Sequence, residues 1–72
     1  MRTYRVAANE ACERALQDWT AEYSARMRPL LDTGTDPDQA TQRVMAEMHN
    51  FNRELRASLA DDLLAAETDF PH

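Results

Sequence analysis

Apolar residues recur every three or four positions through the first half of the chain, and this spacing predicts an amphipathic helix over about residues 3–31. On an ideal helix these positions fall within an arc of roughly 100°, and two alanines, Ala11 and Ala15, widen one flank. The stripe consists of Ala8, Cys12, Leu16, Trp19, Tyr23, Met27 and Leu30. Pro29 removes one backbone hydrogen bond, so the pattern leaves open whether the helix kinks there or ends near Arg28.

A second apolar stripe predicts another long helix, over about residues 37–67. Its members are Val44, Met48, Phe51, Leu55, Leu59, Leu63 and Ala66. A proline at position 71 disfavours helix just before it, which predicts a frayed tail over residues 68–72.

Residues 32–36 carry the signals of a helix end followed at once by a helix start. Gly34 is the only glycine in the chain and is placed where a left-handed residue closes a helix. Asp36 is a candidate N-cap, Pro37 suits the first helical position, and Gln39 completes a capping-box spacing. The sequence therefore predicts an all-α fold, an antiparallel two-helix hairpin occupying residues 1–72 as a single domain.

Folding the chain back at this turn places residues whose numbers sum to about 68 opposite each other, as in an antiparallel pair with a short loop. Two charged residues, Arg5 and Asp62, interrupt the apolar stripes and are brought together by this register. We expect them to form an ion pair near the open end that fixes register and contributes at most about 1 kcal/mol.

Two helices cannot cover both sides of both stripes, which predicts an interface where apolar side chains cluster near the turn. The candidate interface residues are Trp19, Tyr23, Met27, Met45, Met48 and Phe51. A second copy would complete a dimeric four-helix bundle, and a different protein could supply the missing helices instead. Trp19 and Tyr23 suit either the core of such a dimer or an anchor for another protein.

Composition narrows the possible partners and location. The 72 residues carry a net charge of −5, which disfavours nonspecific binding to nucleic acid or anionic membranes. No apolar run approaches the roughly 18 residues of a membrane span, and the N-terminal residues lack a signal-peptide pattern, so we expect a cytoplasmic protein. The lone cysteine, Cys12, is expected to be a buried thiol in a reducing compartment. Eight arginines, no lysine and twelve alanines indicate the codon bias of a bacterium or phage.

No motif points to chemistry. His49 lacks the glutamate three residues earlier that di-metal bundles use, and Glu10 and Glu13 lie on the polar face of their helix. The chain contains no glycine-rich phosphate loop, zinc-ligand spacing or nucleophile elbow. We therefore predict no catalytic, metal or cofactor-binding residues and no enzymatic activity.

These observations favour a non-catalytic protein-interaction module, a small acidic regulator, inhibitor or accessory subunit. Its partner would be itself, an unidentified protein, or both. The alternatives are a self-contained structural homo-oligomer and an RNA-binding helical hairpin of the plasmid-control type, which shares the architecture but no sequence motif.

Overall fold

The computed structural model describes residues 2–70, and this part of the chain forms three α-helices and no β-strand. The helices are α1 (Tyr4–Asp32), α2 (Pro37–Glu47) and α3 (His49–Asp69). The predicted all-α class is confirmed, whereas the expected pair of helices is corrected to three because the second one is interrupted. The first two residues of the expected tail belong to α3, and residues 71–72 lie outside the described residues.

The first helix, α1, begins at a side-chain cap and continues through its proline. The Thr3 hydroxyl accepts a hydrogen bond from the Val6 backbone N–H at 3.3 Å. The helix does not end near Arg28, since Pro29 lies within it and its carbonyl accepts from the Thr33 N–H at 3.1 Å. The apolar residues after the proline therefore stay on the helix.

The reversal of the chain uses the residues that the sequence indicated. Gly34 has a φ of 84°, in the left-handed region that favours glycine. The Thr35 N–H bonds to the Leu30 carbonyl at 2.9 Å and the Gly34 N–H to the Leu31 carbonyl at 3.1 Å, which is the pair of bonds of a Schellman motif.

The next helix, α2, starts two residues later. The Asp36 carboxylate accepts from the backbone N–H groups of Asp38 at 3.2 Å and Gln39 at 3.3 Å, and Pro37 is the first helical residue. The predicted N-cap is thus confirmed.

The second arm of the molecule consists of α2 and α3 and is interrupted at Met48. There φ is −86° and ψ is 5°, far from the ψ of about −42° in an α-helix. Hydrogen bonding nevertheless continues across the interruption. The Met48 N–H bonds to the Val44 carbonyl at 2.9 Å, and the Met48 carbonyl accepts from the Asn52 N–H at 2.8 Å. Both backbone groups of Met48 are therefore hydrogen-bonded at the interruption.

The contacts between α1 and the other two helices follow one order, in which partner numbers fall as those in α1 rise. The contacts are Arg14 with Asp62, Trp19 with Asn52, and Arg26 with Glu47. The paired numbers sum to between 71 and 76, so the register differs from the expected one by roughly one to two helical turns. The expectation treated residues 37–67 as one continuous helix, whereas the structure divides them into α2 and α3.

The buried core lies near the turn, where Met27, Ala40, Val44 and Met48 pack together. Toward the open end the buried residues are the small Ala11 and Ala66, and a groove there is lined by residues near both ends of the chain, Arg2 and Phe70 among them. The molecule measures 50 × 21 × 14 Å with a radius of gyration of 16.0 Å, whereas a compact domain of this length would have about 11 Å. It is an elongated rod with one well-packed end.

Candidate protein-interaction surface

The six residues predicted as an interface divide into enclosed and accessible side chains. Met48 is completely buried and Met27 is 8% exposed, because both belong to the core of the chain itself. The assignment of the six residues to an interface stays a prediction. Trp19, Tyr23 and Phe51 are half-buried against that core, and Met45 is 37% exposed. The chain thus uses Met27 and Met48 to pack its own helices.

Trp19 joins the two arms near the middle of the rod. Its Nε1–H donates to the Asn52 Oδ1 at 2.9 Å, and its ring stacks on Tyr23 with centroids 5.0 Å apart and planes 10° from parallel. The indole also lines an open groove of about 390 Å³ together with His49 and Arg56. Trp19 is therefore held from within the chain while one edge remains accessible.

An apolar strip runs along this side of the rod, from Trp19 toward the open end. Its residues, which we call the Leu16 face, are Cys12, Leu16, Trp19, Asn52, Leu59 and Leu63. The first three are spaced by four and three in α1 and the last three by seven and four in α3, so each set follows one line on its helix. Leu16 is 64% exposed, and Leu59 and Leu63 are half-buried.

The opposite side of the seam between α1 and α3 holds a second groove, of about 470 Å³. Its lining, which we call the acidic groove, consists of Asp18, Ala21, Glu22, Phe51, Glu54 and Leu55. Phe51 and Leu55 are half-buried and form an apolar floor, whereas the three carboxylates belong to its rim. Asp18 and Glu54 lie outside both apolar stripes of the sequence, and a row of charges every four residues along α1 is visible in it.

The expected ion pair between Arg5 and Asp62 does not form. Asp62 instead lies 3.8 Å from the Arg14 guanidinium, because the register is shifted, and Arg5 has no ion pair within residues 2–70. Both members of the observed pair are about half exposed, so it contributes at most about 1 kcal/mol.

One candidate chemical group, Cys12, is placed differently from the sequence expectation. Cys12 is exposed and not buried, because the contact between α1 and α3 lies to one side of it. Glu10 pairs with Arg2, and Glu13 and His49 are exposed. Within the described residues, no three His, Cys, Asp or Glu side chains are gathered as a metal site would need.

None of the helices in residues 2–70 combines the length and apolar character that crossing a membrane requires. Comparisons of the chain with protein-family models, with curated proteins and with solved structures give no match.

Proposed function

We propose that this chain is a non-catalytic protein-binding module, an antiparallel helical hairpin that pairs with a second copy to form a dimeric four-helix bundle. One observation carries the proposal. The chain exposes 5495 Å² of surface, whereas a compact monomer of 8.3 kDa exposes about 4,600 Å². The excess of about 900 Å² is close to the roughly 800 Å² that each partner buries in a standard interface.

The Leu16 face is the surface that we assign to the second copy. It lies along the rod, so two rods can pack side by side over most of their length, as helices do in a bundle. A two-fold axis would place the same apolar strip of each copy against the other. Leu16, at 64% exposure, would then be buried, and the accessible edge of Trp19 would contribute an aromatic contact.

The acidic character of the module supports a regulatory, inhibitory or accessory role toward a protein with a basic surface. A net charge of −5 raises the rate of encounter with such a partner and disfavours acidic competitors. The arginine-rich, lysine-free composition supports a bacterial or phage source.

The experiment compares two leucines of equal exposure. Leu16 is 64% exposed on the proposed interface, and Leu64 is 62% exposed on the outer side of α3, next to Ala60 and Glu67 on the same helix face. We expect light scattering with size-exclusion chromatography to give a dimer mass for the wild type and for Leu64→Glu, and a monomer mass for Leu16→Glu.

Two results would contradict the dimer. One is a wild-type chain that remains monomeric throughout a dilution series while helical by circular dichroism. The other is equal disruption by the two substitutions, because a general loss of solubility or folding would then explain the effect better than a defined interface.

A further inference from the structure

We infer that the acidic groove docks a basic amphipathic helix from a different protein. The inference rests on the proposed role in protein binding, but it uses the side of the α1/α3 seam opposite to the Leu16 face. The two surfaces can therefore be tested separately.

One charge in a row along α1 has no ion-pair partner. The row, at four-residue spacing, consists of Glu10, Arg14, Asp18, Glu22 and Arg26. The members on either side of Asp18 are all paired. Glu10 pairs with Arg2, Arg14 lies 3.8 Å from Asp62, and the Glu22 carboxylate lies 2.8 Å from Arg26.

Asp18 is the exception, since it has no ion-pair partner within residues 2–70. The charged residue that lines the groove from the other helix is Glu54, also a carboxylate and also without an ion pair in that range. Arg26 cannot readily turn to them, because it is already bound by Glu22 and lies 3.7 Å from Glu47. Two like charges thus border one groove, and a cationic partner would relieve their repulsion.

The floor of the acidic groove has the shape and chemistry to receive another helix. Phe51 and Leu55 offer half-buried apolar surface, and Ala21 is small enough for another helix to approach closely. An apolar groove between two helices is the usual receptor for the apolar side of an amphipathic helix. The groove therefore fits a helix with leucine-like side chains at spacings of three and four, flanked by arginine or lysine.

Charge also favours a basic helix over a second copy of the chain as the occupant of this groove. Each copy carries a net charge of −5, so the field that attracts a basic helix repels another copy from an acidic surface. Self-association is assigned to the Leu16 face, whose residues carry no formal charge.

The test uses a synthetic probe, a fluorescent peptide of about 18 residues, roughly five helical turns, with leucines every three or four positions and arginines beside them. A matched peptide carries glutamate in place of arginine. We expect fluorescence anisotropy to detect saturable binding of the basic peptide to the full chain, weaker at high salt, and no binding of the acidic one.

Two variants with the same net charge locate the site. Asp18→Asn with Glu54→Gln removes the unpaired carboxylates of the groove, and Glu13→Gln with Glu67→Gln removes two exposed carboxylates elsewhere on the same helices. We expect the groove variant to weaken peptide binding at least about tenfold and the control less than about twofold. The groove variant should melt no lower than wild type, because it removes a repulsion.

The inference fails if the wild type does not bind the basic peptide, or if both variants weaken binding equally, since the attraction would then be nonspecific. It also fails if the groove variant changes the oligomeric mass, because the occupant would then be a second copy. Leu16→Glu should bind the peptide normally, so a failure of the dimer and a failure of the groove give different results.

Discussion

Residues of the same type serve different purposes along this chain, and the methionines show it most clearly. Met45 and Met48 are three positions apart, yet the first is 37% exposed and the second is completely enclosed by the core. An unbranched, adaptable side chain suits both an irregular gap and a partly wet surface. Whether a methionine stabilises the fold therefore depends on its position relative to the contact between the helices and not on its residue type.

This contrast gives a stability prediction. Met48→Ala should reduce the free energy of unfolding by about 2–5 kcal/mol, because it leaves a cavity in the only well-packed part of the described chain. Met45→Ala should cost less than about 1 kcal/mol, since half-exposed side chains leave no closed cavity. Urea denaturation followed by circular dichroism measures both, and equal losses would show that Met48 does not define the core.

The apolar stripe of α1 explains why single residues were harder to place than helices. Ala11, assigned to a flank, is 3% exposed, whereas Leu16, near the middle of the stripe, is 64% exposed. A fixed arc on an ideal helix cannot follow a seam that moves around the helix along its length. Near the open end the seam passes Ala11, where small side chains permit close approach, so the larger Cys12 and Leu16 are left outside.

At the level of elements, chain reversal was predictable because its signals are local. Gly34 adopts the left-handed conformation, and Asp36 caps the next helix. The interruption at Met48 was not predicted, since the apolar pattern runs through it and neither glycine nor proline is present nearby. At this point the Met48 side chain is enclosed in the core with Met27, Ala40 and Val44.

The turn provides a prediction that isolates backbone conformation. A Cβ added at Gly34 would meet no atom within 4 Å, so the cost of Gly34→Ala is that of a left-handed alanine alone, about 1 kcal/mol. Gly34→Asn should cost less, because asparagine tolerates this region better. Thermal melts of the two variants at one concentration test the order, and a more stable alanine variant would contradict it.

Predicting the candidate surfaces from the sequence would have required knowing how α1 and α3 lie against each other. The sequence placed Asp18 and Glu54 on solvated faces of separate helices, and only the register of α1 against α3 shows that they border the same groove. The register itself could not be derived, because it depends on the interruption at Met48. Trp19 was recognised as worth attention, but its bond to Asn52 depends on that register as well.

At the scale of the whole molecule, shape is the feature that most needs explanation. An elongated rod of 50 Å with one packed end buries less apolar surface than a compact domain of equal length, so we expect its stability as a monomer to be low. Association through the Leu16 face would compensate by covering the open half.

This view predicts that stability depends on concentration. Because a dimer is favoured by mass action, the Tm of the wild type should rise with protein concentration, whereas the Tm of Leu16→Glu should be lower and constant. Differential scanning fluorimetry over a hundredfold range would measure it, with Leu64→Glu as the control that retains the slope. A wild-type Tm independent of concentration would contradict the dimer.

The groove that Arg2 and Phe70 share has a practical consequence. Because Arg2 and Phe70 border one groove, far from the packed core, residues 2–70 could be inserted through these two positions into a surface loop of a host enzyme or fluorescent protein. Grafted in this way, the rod would project as a spike whose tip is the Gly34 turn. The Leu16 face and the acidic groove would both remain accessible to their partners.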